Sequence, residues 1–372
     1  YFGKNDENGN LTEKNKEGLL INAMKGFFKN LFNWERWSYD VIYLPIDIFW
    51  LWYGLKAKHF WYFTPVNPTL IFAGFEGGSK KEMYEQLPAW TYPATIFIEP
   101  ATPFEEAKKK MEAAGLQYPV VVKPDSGMAG VLFRIIKDDA HLQVYHQAVG
   151  ELYVLQKCID SGLEYSVYYI RYPAETKGMI TGLIVKDYLS VTGDGIKTLA
   201  TLIAEHPIAK YKIAKLQKMH QAKWNNVIPT GEKFLLNPAG NHNTGAKFIN
   251  LNHEIDQQLC DVFDKISNET GQYYFGRYDL KCPSLDALKN GKHIDVLEFN
   301  GAGAAITHVF DRNMSYISAL KEIVRHWRHL YKIGKINNKK GVPYWSFWKG
   351  YRFTQKAKKN FRRMSAIDKQ FP

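Results

Sequence analysis

The chain has 372 residues, 45% of them apolar, which excludes a disordered polypeptide and leaves room for two or three domains and a sizeable core. Its three cysteines, Cys158, Cys260 and Cys282, are odd in number and widely spaced; this excludes a disulfide framework and a CxxC metal site, and points to a reducing, cytoplasmic setting. The formal charge of +12 gathers at one end: residues 336–372 carry ten Lys and Arg against one acid, which leaves +3 for the other 335 residues.

The first 90 residues are rich in aromatics, with 15 Phe, Trp and Tyr among the 40 residues from 24 to 63. The densest stretch, YLPIDIFWLWYGLKAKHFWYF, is interrupted by Pro45 and Asp47 and falls short of the about 18 apolar residues that a membrane span needs. The basic tail is aromatic as well, with Tyr344, Trp345, Phe347, Trp348, Tyr351 and Phe353. Two readings stand for these ends. Either the aromatics pack onto the main domain and a basic helix faces water, or they meet an anionic membrane surface, at the inner face of the membrane, with Trp and Tyr at the interface and Lys and Arg among the headgroups. No reader motif supports nucleic acid as the partner.

Between the ends, strand and helix patterns alternate. Residues 103–115 predict a helix ending on glycine, 118–124 a buried strand stopped by proline, 125–130 (DSGMAG) a loop of small residues, and 131–136 a returning strand. Residues 138–150 predict a second helix, and 152–159, 164–172 and 179–191 three strands. The stretch 197–223 is helical in character and 252–271 is an amphipathic helix. Residues 273–282 and 293–300 predict a strand pair, and 315–334 the last helix of the core. The division is an N-terminal region over 1–90, a main domain over 91–335 with subdomains at about 116–185 and 186–335, and the tail over 336–372.

Two fragments carry chemistry. Lys123 ends a hydrophobic strand and is followed by a loop holding Ser126, Gly127 and Gly130, whose backbone N–H groups can approach phosphate oxygens. In GRYDLKC, Arg277 and Asp279 share one strand face, and in LEFN so do Glu298 and Asn300. If those strands pair, two carboxylates, an amide oxygen and a guanidinium converge, a hard-oxygen set suited to Mg²⁺ with an arginine for a phosphoryl group. The structural alternative is an exposed ladder with Arg277 paired to Glu298. The small residues of NGAGAAITH, which follow Asn300, leave space for a substrate, and His308 is the nearest candidate cation. The other histidines are too scattered to read as a zinc site.

Taken in order, these fragments resemble the ATP-grasp superfamily over roughly residues 90 to 330, in its carboxylate–amine ligase branch. VTGDGIKTLATLI (191–203) and GEKFLLNPAGNHNTGAKFIN (231–250) resemble stretches of cyanophycin synthetases and glutathione-forming ligases. The resemblance implies an α+β (α/β) fold of two subdomains clasping ATP. It implies Lys123 and the 125–130 loop on the phosphates and Lys186 as a further nucleotide lysine. Gln156 and the backbone of Lys157, Cys158 and Ile159 would face adenine, Glu164 the ribose, and Asn241 and Asn243 phosphate or substrate. Asp279, Glu298 and Asn300 would hold Mg²⁺, two ions in the family pattern, with Arg277 and Lys123 acting in catalysis. ATP would phosphorylate a carboxylate, and an amine would attack the acylphosphate. The rival expectations are a non-catalytic nucleotide sensor or scaffold, and a kinase of a non-carboxylate acceptor. The chain departs from the pattern in its aromatic N-terminus, in Gln156 where a glutamate is common, and in showing no upstream nucleotide lysine near YPATIFIEP.

Overall fold

A computed structural model describes residues 34, 39–127, 130–237, 240, 245–311 and 314–371. In chain order, helices α1 (Tyr39–Tyr43), α2 (Asp47–Ala57) and α3 (Lys80–Gln86) precede strand β1 (Thr95–Ile98). Then come α4 (Phe104–Ala113), β2 (Val120–Pro124), β3 (Arg134–Ile136), α5 (Asp139–Val149), β4 (Tyr153–Lys157), β5 (Leu163–Ile170) and β6 (Met179–Asp187). An excursion follows: β7 (Ser190–Thr192), α6 (Leu199–Glu205), α7 (Ile213–Met219) and β8 (Lys233–Leu235). The chain re-enters at β9 (Lys247–Asn250) and closes with α8 (Gln257–Thr270), β10 (Phe275–Cys282), α9 (Leu285–Lys289), β11 (Asp295–Asn300), α10 (Tyr316–Lys339) and α11 (Phe347–Gln370).

The first lobe is an antiparallel sheet in the order β1-β4-β2-β3. Its core is built from Val120, Val122 and Leu155 with Ala107 and Met111 of α4 and Leu142 and Tyr145 of α5. Helix α5 starts where the Asp138 side chain accepts the His141 amide and stops at Gly150, whose positive φ of 59° suits glycine.

The second lobe is an antiparallel sheet in the order β11-β10-β5-β6-β9. Along β5 the side chains alternate as a strand requires: Tyr165, Val167 and Tyr169 enter the core shared with Phe263 and Ile266 of α8, and Tyr168 and Ile170 enter a second core on the other face. That second core takes Ile323 and Leu330 of α10 and, from the N-terminal region, Tyr62, Phe63 and Phe72. Trp50 of α2 packs on Tyr62 and edge-on to Trp327, with ring centroids 4.8 and 5.1 Å apart. This inward half of the aromatic segment therefore belongs to the main core.

Two elements differ from their sequence-based expectation. The strand expected over 179–191 ends at Asp187, and Ser190–Thr192 pairs instead with β8 in a separate two-stranded sheet. The helical stretch 197–223 is broken after Glu205, just before Pro207, which cannot extend a helix. The residues after 336 pack onto the main domain, the first of the two readings given for the ends. Helix α10 runs on to Lys339 and α11 lies along both lobes. At its start the indole of Trp61 donates to the Phe347 carbonyl at 3.0 Å, and Phe353 meets Phe72. At its end Met364, 2% exposed, sits in the first-lobe core, and the Asp368 carboxylate accepts from the Leu132 amide (2.9 Å) and Arg134 (3.0 Å). The Trp61 ring crosses α11 at Gly350, where a Cβ would lie 2.3 Å from the indole nitrogen. Gly350→Ala is therefore expected to cost about 1–3 kcal/mol through overpacking, read as a lowered urea midpoint.

Candidate nucleotide and metal site

One face of the second sheet gathers the charged residues, because each lies two positions from the next on its strand. The antiparallel register sets Ser166 of β5 opposite Asp279 of β10, Asp279 opposite Glu298 of β11, Arg277 opposite Asn300, and Glu164 opposite both Lys186 of β6 and Lys281 of β10. Four neighbouring strands thus present Glu164, Ser166, Lys186, Arg277, Asp279, Glu298 and Asn300 together. The strand pairing expected from the sequence is present, but the Arg277–Glu298 ladder is not.

Asp279 is the hub. Arg277 donates to both its oxygens, at 3.0 and 2.7 Å, Asn300 donates at 3.2 Å, Ser166 donates through its hydroxyl, and the Lys186 ammonium lies 3.4 Å away. Burial alone would raise the Asp279 pKa; the charges of Arg277 and Lys186 outweigh it and hold the carboxyl below its usual range. The third Arg277 donor reaches the Ala305 carbonyl at 2.7 Å and so ties the small-residue loop after β11 to the hub. Lys186 also pairs with Glu164 at 2.6 Å, and the other oxygen of Glu164 accepts from the Tyr188 phenol. Burial opposes the charge on Lys186, but Asp279 and Glu164 raise its pKa overall.

Glu298 differs from Asp279. Among the described residues no hydrogen bond or ion pair joins its carboxylate, although it lies directly across the ladder from Asp279. Its charge is felt by Lys80, Lys123 and Arg277. A half-buried carboxylate left without a protein partner, beside an ionised aspartate and an asparagine, is a donor set that fits a hard divalent cation such as Mg²⁺.

The first lobe closes on this face through Lys123. Its ammonium donates to the Leu297 carbonyl of β11 at 2.9 Å, to the Tyr84 hydroxyl at 3.1 Å and to Gln156 Oε1 at 3.3 Å. Burial pushes its pKa down to about 8, against the pull of Glu298 and Glu164. Tyr84 of α3 donates to the same Leu297 carbonyl at 2.5 Å, and burial raises its phenol, which keeps that proton in place. Gln156, 1% exposed, spends its amide nitrogen on Thr95 and Tyr84, so its side chain braces Lys123 and presents no free edge to a base. Next along the strand, Lys157 is exposed and its N–H bonds the Ala94 carbonyl, Cys158 is half-buried, and the Ile159 carbonyl accepts from Lys281 at 2.5 Å.

In the loop after β2, Gly130 has a φ of 74° that only glycine holds easily, whereas Gly127 needs no such freedom. The Ser126 hydroxyl reaches toward the Gly77 carbonyl at 3.5 Å. Lys80 of α3, unseen in the sequence reading, lies at this loop: its ammonium donates to the carbonyls of Asp125 (3.2 Å) and Gly127 (3.3 Å). Ser166, Tyr84 and Tyr188 were also missed; only Ser166 had a signal, its spacing of two from Glu164. Asn241 and Asn243 lie outside the described residues.

His308 does not display its ring as a free cation. It is 2% exposed, packs on Gly182, where a Cβ would lie 2.0 Å from Nδ1, and faces Glu322 at 3.4 Å. His326 joins them, with one ring nitrogen on the Glu322 carbonyl and the other on Thr181, each at 2.9 Å. Ligand atoms of His308, Glu322 and His326 lie within 4.8 Å of one another. Both nitrogens of His326 are already satisfied by protein, so the trio reads as a structural knot beneath the small-residue loop.

No family model matches the chain. Over 205 residues it is 23% identical to the glutathione biosynthesis bifunctional protein GshAB of Streptococcus agalactiae serotype V, and equally to that of serotype III; each match takes in 49% of this chain and 26% of the relative. The chain thus spans about a quarter of the length of these curated relatives. Similar solved structures include a bifunctional glutathione synthetase from Pasteurella multocida (19% identity, 66% of this chain and 35% of that one, TM-score 0.36). They also include D-alanine–D-alanine ligase from Bacillus anthracis (14%, 70% and 68%, 0.38) and VanG D-Ala:D-Ser ligase from Enterococcus faecalis (14%, 69% and 61%, 0.39). The described elements form an α+β fold.

Proposed function

We propose that the protein is an ATP-dependent ligase that joins a carboxylate to an amine. The observation that carries this reading is the shared sheet face of Arg277, Asp279, Glu298 and Asn300, closed by Lys123 from the opposite lobe. Asp279, Glu298 and Asn300 would hold Mg²⁺, which, when bound, neutralises phosphate charge. Lys123, Lys80 and the loop of Ser126, Gly127 and Gly130 receive the phosphates. The backbone from Lys157 to Ile159 borders the base. Glu164, expected at the ribose, has its oxygens on Lys186 and Tyr188 in the ligand-free fold and acts by fixing Lys186, and Arg277 faces the phosphoryl group in transfer while holding the loop at Ala305. The chemistry would proceed in two displacements. The substrate carboxylate takes the γ-phosphoryl group and releases ADP; the amine then attacks the acyl carbon and releases phosphate. The protein contributes position and charge neutralisation.

The test is ADP release on screening acid and amine pairs, with product mass as the second readout. A joined product that appears only with ATP and Mg²⁺ supports the reading. A single substrate carrying a phosphate would make the protein a kinase and overturn it.

Lys123 gives this reading a pH signature. In the ligand-free fold its pKa is about 8, below the ordinary 10.5. Between those values the unfolded chain binds more protons than the folded one, so ligand-free stability rises with pH there. Phosphate beside Lys123 favours its charged form, so Mg-ATP binding at pH 8.5 is expected to take up a proton that binding at pH 6.5 does not. Calorimetry in two buffers of different ionisation enthalpy measures this uptake, and Lys123→Met should remove it.

A further inference from the structure

Helices α1 and α2, joined through Leu44–Ile46, form one nearly continuous helical segment whose water-facing side is as apolar as its core side. Trp50 and Tyr53 point inward, onto Tyr62. On the opposite side Leu44, Ile48, Leu51, Trp52 and Leu55 recur at helical spacing and are 52–73% exposed. A folded protein normally puts charge on such a face. The strip does not end with α2. Phe60 stacks edge-on to Phe347, 5.6 Å away, and Phe347 continues into Trp348 and Tyr351 on the first turns of α11, all three exposed.

The charges nearest the junction of α2 with α11 are basic. Lys56 on α2 and Lys58 just after it flank the strip, as do Lys349 and Arg352 on α11, all exposed. Lys56 lies over the Trp52 ring at 5.0 Å and Lys349 over Trp345 at 4.1 Å. The acids of the segment, Asp40 of α1 and Asp47 of α2, lie in its N-terminal half, away from that junction, and α11 has none before Asp368. A second copy of this chain would bring basic rim against basic rim. An anionic lipid surface meets both parts: aromatic and aliphatic side chains enter the headgroup–acyl boundary, and the lysines reach the headgroups. No described helix is long and apolar enough to cross a bilayer, and α2, with 11 residues, is about 16 Å long, so it would lie along the interface.

We propose that the strip formed by the outer face of α1–α2 and the first turns of α11 docks the protein in the plane of an anionic membrane. The proposal stands apart from the ligase reading, since no residue of the nucleotide site contributes to the strip.

The test is co-sedimentation of the full chain with sucrose-loaded vesicles of phosphatidylcholine alone and of phosphatidylcholine with 30% phosphatidylglycerol. The expected result is a partition at least tenfold stronger on the anionic vesicles, weakened by salt. Trp52→Glu with Leu55→Glu should reduce it at least tenfold. Both side chains are exposed, so this variant should keep the native unfolding midpoint and the native response to Mg-ATP. Absence of partition onto anionic vesicles overturns the proposal. So does partition unchanged by the double substitution, and so does a self-associated native protein that the substitution renders monomeric without any lipid present.

Discussion

Glu298→Gln is expected to lower ATP turnover by at least about 10²–10³-fold, the scale on which removing one electrostatic group from a phosphoryl-transfer site is felt. Its folding stability should stay within about 0.5 kcal/mol of the native protein. The two halves of this prediction come from one observation: the carboxylate stands without a hydrogen bond or ion pair among the described residues, so the ligand-free fold does not lean on it. Asp279→Asn should behave differently. Asp279 is 5% exposed and is the shared counter-charge of Arg277 and Lys186, so its neutral form leaves two cations in a poorly solvated face. A loss of about 3–5 kcal/mol in stability is expected with the loss of activity, read by urea unfolding. The pair of variants separates a residue kept for a ligand from one that also holds the site together.

The second large effect is at the far end of α11. Met364→Ala should cost about 2–5 kcal/mol, since the side chain is 2% exposed and belongs to the first-lobe core that also holds Leu132 and Tyr145. The loss should be local, because α11 reaches that lobe through Met364, Ile367, Phe371 and the Asp368 contacts with Leu132 and Arg134. Amide exchange is expected to rise in β2, β3 and the loop between them, and affinity for Mg-ATP to fall with it. Arg363→Ala, also in α11, removes a side chain that is 45% exposed and pairs with Glu151 of the first lobe, and should cost no more than about 1 kcal/mol. Equal effects of the two substitutions would mean that the helix end is not a structural part of the nucleotide lobe.

The contrast between these regions shows what the sequence made legible. The spacing of two in Arg277-x-Asp279 and Glu298-x-Asn300 states which side chains share a face, and the antiparallel register carries that statement into space unchanged. A period-two pattern on adjacent strands needs only their pairing to become a site. Lys80 and Tyr84 had no such route to recognition. They sit on a short helix some forty residues before Lys123, and only the closing of the two lobes brings them to the Asp125–Gly127 loop and to Leu297. Gln156 was expected at the base through the resemblance alone, which matches a position and does not say what the side chain meets in this chain; it meets Thr95, Tyr84 and Lys123. In α11 and at its C-cap the apolar contacts Phe353, Met364, Ile367 and Phe371 are sparse among ten basic residues counted from 336 onward, so net charge masked a buried helical stripe. The same masking, in reverse, applies to α2, which is apolar on both sides; composition marked it, and the structure separated the core stripe of Trp50 and Tyr53 from the outward one.

The most direct measurement is the unfolding midpoint of native protein and Glu298→Gln with ATP, with and without Mg²⁺. A ligand that binds only the folded state adds about 2.7 kcal/mol at a hundredfold excess over its dissociation constant. The account predicts a rise in the native protein that requires both ATP and Mg²⁺ and that disappears in Glu298→Gln, whose ligand-free midpoint is unchanged. No rise in the native protein, or an equal rise in the variant, would contradict the assignment of Glu298 and its sheet face to metal and nucleotide.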